Sequence, residues 1–457
     1  MTVLQESMSE DSLLQPTVIR SIELSQSFFK RVAPAEKVVW LIAFTVLVLV
    51  RIPAVLNGRF WAEEGKIFFQ NGWNMPWYQA LFWSHGGYLN IAANLAGVLA
   101  NHLAPLEKAC YVTTIFALII QMFPFVLLCT SKQLWLQNRK VLLAAMLLIS
   151  TMPLTQEIWL SSIGSQCHLN LCVALIMVLE TRGRLVGYFH KALLFIAPLT
   201  GPGSIALIPF FFLRAFIDRS TSRAVQGAIL LFGTAIQLLF FWHFGSRGPI
   251  GIEIPLLLNV FFVKHILGPF LGFEEAHALT HDWDKAYDQG HLNLITGMLM
   301  SVIGFGLLLF AVIRSRKAEP VWFVTGGLVL GTLSYLGALG DRSMLLDIAV
   351  SERYDFAPQV LFDLSILFLA FYSRGVTGTL ARAVIVWLVI IGAHEYFSTP
   401  PWYSQGPLWR HEVYEWRKNP DHLLEAWPGG WSFHLKPHVD ILRPRGREVP
   451  ELKQHPA

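Results

Sequence analysis

The sequence predicts an all-α polytopic membrane protein of about eleven transmembrane or half-membrane helices, with outer-side loops and an outer Trp-rich C-terminal segment. Three observations predict it. Of 457 residues, 54% are apolar and only 14% charged, against a globular norm of about 25% charged, and the mean hydropathy is +0.48. Apolar runs recur at or near the length of roughly 20 residues that crosses a hydrocarbon core of about 30 Å. Lys and Arg gather in short segments between alternate runs, the bias expected of cytoplasmic loops. The net charge of +4 then reads as loop bias. No basic cluster interleaves with aromatics as a nucleic-acid groove requires, so no nucleic-acid partner is expected. Cys110, Cys129, Cys167 and Cys172 lie in or beside apolar runs without CxxC spacing, suggesting neither a zinc site nor a disulfide framework.

Taken in order, residues 1–36 form a polar cytoplasmic N-terminal segment. A cleavable signal peptide is not expected, because its apolar region would lie nearer the start. Lys30, Arg31 and Lys37 precede the first span, 38–55, and place the N-terminus in the cytoplasm. The first outer loop is therefore 56–107. Within it, the run 88–103 carries Asn90, Asn94, Asn101 and His102. If it spanned, the basic segment 132–140 would fall outside, so it is assigned to the interface as an amphipathic helix. Spans follow at 108–130, 141–158 and 164–179. Segments 191–200 and 204–213 are each too short to cross and are joined by Gly201-Pro-Gly203, the pattern of two half-helices with a broken turn. The run 224–244 goes out, and 257–273, with Lys264 and His265, is placed in the outer interface. Spans at 292–313, 321–339, 357–373 and 380–396 complete a multi-spanning region, 37–396. The Trp-rich segment 397–457 is then extracytoplasmic, and its basic, Pro-containing end after Pro437 is expected to be flexible. The large aromatic, acid-bearing loops all face outward, while the cytoplasmic loops are short and basic.

The motifs in those loops carry a resemblance. The first loop reads Arg59-Phe-Trp-Ala-Glu-Glu-Gly-Lys and continues to Trp83-Ser-His-Gly-Gly-Tyr-Leu-Asn90. Further on come Thr200-Gly-Pro202, Arg353-Tyr-Asp-Phe-Ala-Pro358 and Trp409 through Trp431. In order and topology these landmarks resemble the GT-C superfamily of integral-membrane glycosyltransferases. They also resemble a bacterial group with Ala-Glu-Asp-Gly, Thr-Gly-Pro and Arg-Tyr-x-x-x-Pro motifs and a Trp-rich tail. The resemblance implies a GT-C-like fold in a bacterial inner membrane. It also implies a polyprenyl-phosphate-linked sugar as donor, and an envelope glycan, lipid or protein as acceptor on the outer side. The superfamily's catalytic acid falls on Glu63 or Glu64, and Glu64 is the choice by motif position. Here Glu64 stands where the group has Asp, one methylene shorter.

That chemistry asks for a general base on the acceptor hydroxyl and for cationic groups on the departing polyprenyl phosphate. Glu63 and Glu64 cannot share one helix face, so one faces the site and the other is either structural or a backup. Arg353 and Tyr354 fit a donor-phosphate site, Arg by its two-pronged geometry; both are equally suited to interfacial anchoring. His85, Tyr88 and Trp61 are the candidate sugar or acceptor contacts, against the plainer reading of loop and anchor residues. His168, in Ser165-Gln-Cys-His-Leu-Asn170, fits a hydrogen-bonded helix-end residue. Asp363, inside an apolar run, is either functional or paired with a Ser or Gln. No metal site or resident cofactor is assigned; Asp282 and Asp284 could serve a divalent cation or form an exposed acidic turn. In the tail, Pro407 begins and Asn419-Pro420 stops a helix with Trp409, Val413 and Trp416 on one face. The alternatives are a flippase or transporter of polyprenyl-linked sugars, or a non-catalytic binder of them. Either would tolerate an acid-to-amide change in the first loop.

Overall fold

The computed structural model of the chain describes residues 32–180, 183–245, 251–338, 341–350, 352–398, 403 and 405–437. Segment 1–36 falls almost wholly outside them, as do Trp402 and the end after Pro437. The described residues are mostly helical. The helices used below are α1 Pro34–Val50, α2 Ile91–Leu103, α3 Ala109–Gln121, α4 Phe123–Thr130, α5 Arg139–Ser150, α6 Ser165–Val178, α7 Arg184–Thr200, α8 Ile208–Ile217, α9 Thr221–Phe244, α10 Ile254–Phe262, α11 Leu294–Arg314, α12 Ala318–Leu336, α13 Phe356–Tyr372, α14 Gly375–Phe397 and α15 Trp409–Lys418.

This is a helical membrane protein, but the expected count of about eleven spans is not met. Five described helices are long and apolar enough to cross: Leu106–Thr130, Thr221–Phe244, Ile254–Leu271, Leu294–Arg314 and Gly375–Phe397. Shorter apolar helices are Ile91–Leu103, Ser165–Val178, Pro202–Ile217 and Phe356–Tyr372. The physical reason is that apolarity marks burial of either kind. Twelve of the fourteen residues of α6 are buried within the protein, whereas the apolar window of α11 is only 17% buried. An apolar run of 10–14 residues suits a core helix as well as a membrane. The run 141–158 likewise ends as a helix at Ser150 and continues as buried loop to Gly164. Segment 257–273, expected in the interface, lies up to Leu271 within a helix of spanning length, Ile254–Leu271.

α6 and α13 form the centre. The carbonyls at the end of α6, orphaned as at any helix C-terminus, are taken up by arginines. Arg214 of α8 donates to Val178 O (2.8 Å), and Arg223 of α9 donates to Ile176 O (2.5 Å) and Leu179 O (3.3 Å). The break at Gly201 is present: α7 stops at Thr200, and a 3₁₀ turn, Pro202–Leu207, leads into α8. A Cβ on Gly201 would come within 2.7 Å of Gln166 Oε1, and one on Gly203 within 2.4 Å of Asn170 Nδ2. The turn thus packs directly on the amide face of α6.

α2 does not behave as a surface amphipathic helix. Seven of its thirteen residues are buried, and its polar residues bind protein backbone. Asn94 Nδ2 donates to Leu81 O and Trp83 O, and Asn101 Nδ2 to Gly72 O. Gly97 lets the helix lie against the first loop, since a Cβ there would sit 2.3 Å from Phe68 O.

The C-terminal segment folds onto the same loop. α15 forms where the Trp spacing predicts it, and a hairpin follows: β1 Leu424–Ala426 pairs antiparallel with β2 Trp431–Phe433, Leu424 opposite Phe433. Phe60, Phe69, Trp73, Trp409, Trp416 and Phe433 make one aromatic cluster, with Trp409 Nε1 donating to Leu106 O and Trp73 Nε1 to Lys436 O. Trp409 and Trp416 thus pack onto the first loop.

Candidate functional site

The first loop is shaped around Glu64. Trp61 and Trp427 form a parallel bridge, in which Trp427 N donates to Phe60 O (2.9 Å) and Ala62 N donates to Trp427 O. Ala62 takes a positive φ of 45°, which turns the chain into a π-helical turn at Glu64–Phe69. Such turns are rare and concentrate at functional sites. Within the turn Glu64 is 1% exposed. Its Oε1 accepts Ser162 N (2.7 Å) and its Oε2 accepts Trp61 N (3.2 Å). Burial pushes its carboxyl above the usual range, while those N–H groups and the Arg59 charge oppose the rise.

Glu64, the acid favoured by motif position, is thus turned inward, with each carboxylate oxygen held by a backbone N–H. Its carboxylate links the Trp61 amide to that of Ser162, 98 residues further on from Glu64. Trp61 is buried too, stacked on Tyr403 (5.0 Å between centroids, 15°) and covered by the Arg59 guanidinium at 4.8 Å. Burial lowers Arg59 to about 10, with Glu64 opposing.

Glu63 points the other way. Its Oε1 lies 3.9 Å from Arg353 Nη1, and the same Nη1 lies 3.6 Å from Glu157 Oε1. All three side chains are partly open, at 21%, 26% and 19%. The structure thus joins one of the predicted acids to the predicted arginine across 290 positions of sequence. Glu157 was not singled out from sequence; the available signal was an acid at the very end of an apolar run. Its charge, ahead of Tyr354 and Glu63, raises the Arg353 pKa still further.

Behind this cluster is a second, buried layer. Glu352 is 2% exposed; its Oε2 accepts Glu157 N (3.4 Å) and its carboxylate accepts a bond from the Tyr403 hydroxyl. Burial, and then the Glu157 charge, push it up to about 8. Asp355 accepts from Tyr335 Oη (2.8 Å) and stands 3.7 Å from Lys264 Nζ. Burial pushes it up to about 6 against those partners. Lys264 also donates to the carbonyls of Asp347, Ile348 and Val350, pinning the loop that leads to Arg353.

Arg353 opens into a cavity of about 310 Å³, at the small end of the range for ligand pockets. Its lining has three kinds of surface. Arg342 and Arg353 supply cationic groups, with Tyr88 and Tyr354 beside them. Gln166 and Asn170 of α6 and Ser334 of α12 supply neutral polar groups. Phe241 of α9 and Leu333 and Leu336 of α12 supply apolar walls. Leu333 is 43% exposed, so the apolar wall runs out to the protein surface.

The remaining candidates divide. Tyr88 lines the cavity and its hydroxyl approaches Gln166 Oε1 at 3.5 Å, and Tyr354 also lines it. His85 sits on the short hairpin of Ser84–His85 and Tyr88–Leu89, edge-on to Phe68 at 6.1 Å, and is not part of the lining. His168 is buried, with Nδ1 on Gly164 O (3.0 Å), between Trp159 and Phe356. Asp363 accepts from Gln359 Nε2 one turn earlier on its own helix (2.8 Å). Asp282 is exposed and paired with Lys285 and His281. Among the described residues no three His, Cys, Asp or Glu side chains cluster as metal ligands.

Fold and site together define a class, a helical integral membrane protein with a charged, half-apolar cavity at the ends of its helices. Comparison with protein-family models, curated proteins and solved structures finds no match for this chain.

Proposed function

We propose that the protein is a membrane glycosyltransferase of GT-C type. It moves a sugar from a polyprenyl-phosphate donor to an envelope glycan, lipid or protein acceptor on the outer side of a bacterial inner membrane. On this reading the N-terminus is cytoplasmic and the C-terminal segment extracytoplasmic. The observation that carries it is one cavity in which two guanidiniums, Arg342 and Arg353, meet an apolar wall that reaches the surface, with Glu63 3.9 Å from Arg353 Nη1. A lipid phosphate has those two halves: an anion for the arginines and a hydrocarbon chain for Phe241, Leu333 and Leu336.

Glu63 takes the role of base. The acceptor oxygen forms a bond to the anomeric carbon, the bond from that carbon to the phosphate oxygen breaks, and the acceptor proton passes to the Glu63 carboxylate. The electron pair leaves on the polyprenyl phosphate, which Arg353 and Arg342 stabilise. A bound phosphate also competes with Glu63 for Arg353, releasing the carboxylate for the proton. Glu157 remains to hold the guanidinium in place.

A transport reading has one observation in its favour. Asp355, Tyr335, His265, Gln359 and Asp363 form a continuous buried chain of polar contacts running into α13, the kind of feature that marks relays in transporters. The test is to reconstitute the purified protein with radiolabelled sugars on polyprenyl phosphate and a mixed acceptor fraction. Label appearing in the acceptor supports transfer. Label that only changes leaflet, still on the lipid, replaces it with transport.

A further inference from the structure

Of the segment Ser165-Gln-Cys-His-Leu-Asn170, only His168 drew attention in the sequence, and the structure buries it. The cavity takes Gln166 and Asn170 instead. They are four residues apart and so share a helix face, about 6 Å from each other along the axis. Gln166 is at the end where Arg353 enters, since both also line the small adjoining recess next to Glu157. Asn170 lies further along α6. Among the described residues, its Oδ1 is buried without a hydrogen-bond partner. The turn at Gly201-Pro202-Gly203 is pressed against both amides, so that a Cβ on either glycine would displace them.

We infer that Gln166 and Asn170, backed by this glycine turn, form the subsite for the donor's sugar and select a neutral, hydroxyl-bearing ring. The inference rests on the cavity being the donor site. Sugar hydroxyls both donate and accept, and a side-chain amide offers both functions within one planar group. With the arginines engaged by phosphate, the rest of the polar lining is uncharged, including the two amides, Ser334, Tyr88 and Tyr354. Among the described lining residues there is no third cation to receive a uronic acid. The glycines hold the floor of the subsite close to the amides, so a larger residue there would push them out of register.

The experiment measures binding to full-length protein in lipid nanodiscs by native mass spectrometry. The probes are polyprenyl phosphate alone and the same lipid carrying a neutral hexose or a uronic acid. Wild-type protein should prefer the neutral hexosyl lipid over both others. Gln166→Ala and Asn170→Ala should each reduce that preference about tenfold, the size of one lost net hydrogen bond, with binding of the bare lipid phosphate unchanged. Asn170→Gln should restore part of it. If the bare lipid binds but the alanine variants keep the full preference, the amides are only packing groups and the inference fails while the donor-site reading stands. A wild-type protein that binds the uronosyl lipid as tightly as the hexosyl one overturns it without any variant. If no polyprenyl phosphate binds wild type at all, the donor-site reading falls and this inference with it.

Discussion

Replacing Glu64 should damage folding rather than chemistry, and the structure sets the size of the effect. Glu64→Ala leaves the N–H groups of Ser162 and Trp61 without acceptors at a position 1% exposed. Each orphaned buried group costs about 1–3 kcal/mol, so a loss of roughly 2–6 kcal/mol is expected, increased by the isolated charge of Arg59. Glu64→Gln keeps one acceptor but turns an NH₂ toward the second N–H, and should cost about half as much. Glu63→Ala breaks only a partly exposed contact at 3.9 Å, of a kind worth about 0–1 kcal/mol. Thermal unfolding in detergent, followed by tryptophan fluorescence, reports on this region because Trp61, Trp73, Trp409 and Trp427 surround it. The expected order of melting temperature is wild type and Glu63→Ala together, then Glu64→Gln, then Glu64→Ala. A Glu64→Ala protein that melts with wild type would refute the structural role and reopen Glu64 as the base.

Three further outcomes follow from the same geometry. Arg353→Lys should raise the donor concentration needed for half-maximal turnover although the charge remains, because Lys is a point charge and cannot grip phosphate bidentately; unchanged donor dependence would reduce Arg353 to an anchor. Glu352, pushed up to about 8 when folded from about 4.3 when unfolded, binds its proton more tightly in the native state. Its contribution is therefore complete below about pH 4 and is lost as pH rises through about 8, at most about 5 kcal/mol. Melting temperature between pH 5 and 9 should fall more steeply for wild type than for Glu352→Gln, and parallel curves would contradict this. Cysteines placed at Gln79 and His411, both exposed, should react with an impermeant reagent from the outer side, and at Gln137 and Ser315 only from the cytoplasmic side; labelling of Gln79 and Gln137 from one side would break the topology.

What the sequence made legible was local or compositional. Membrane class, the break at Gly201-Pro-Gly203 and the Trp-spaced helix before Asn419-Pro420 each follow from periodicity and turn chemistry. The span count was not legible, because α6 and α13 are apolar and buried in protein whereas α11 is likewise apolar and largely uncovered by protein, and hydropathy does not separate the two. Nor was the division of labour between Glu63 and Glu64. Adjacency dictates that only one faces the site, but which one depends on Ser162, almost a hundred residues away, whose amide takes Glu64 inward. Trp61 looked like a sugar platform until Tyr403 and Trp427 arrived from the far end of the chain to cover it. Glu157 gained meaning only when a loop from the other end of the chain brought Arg353 beside it.

The central claim is that Glu63 accepts the acceptor's proton while Arg353 holds the donor. It is tested most directly by single-turnover sugar transfer from saturating polyprenyl-phosphate donor in reconstituted vesicles, comparing wild type with Glu63→Gln. The account predicts that Glu63→Gln binds donor as wild type does and transfers its sugar about 10²–10⁴-fold more slowly, the usual contribution of a positioned acid–base group. Transfer at the wild-type rate by a folded Glu63→Gln protein would contradict it.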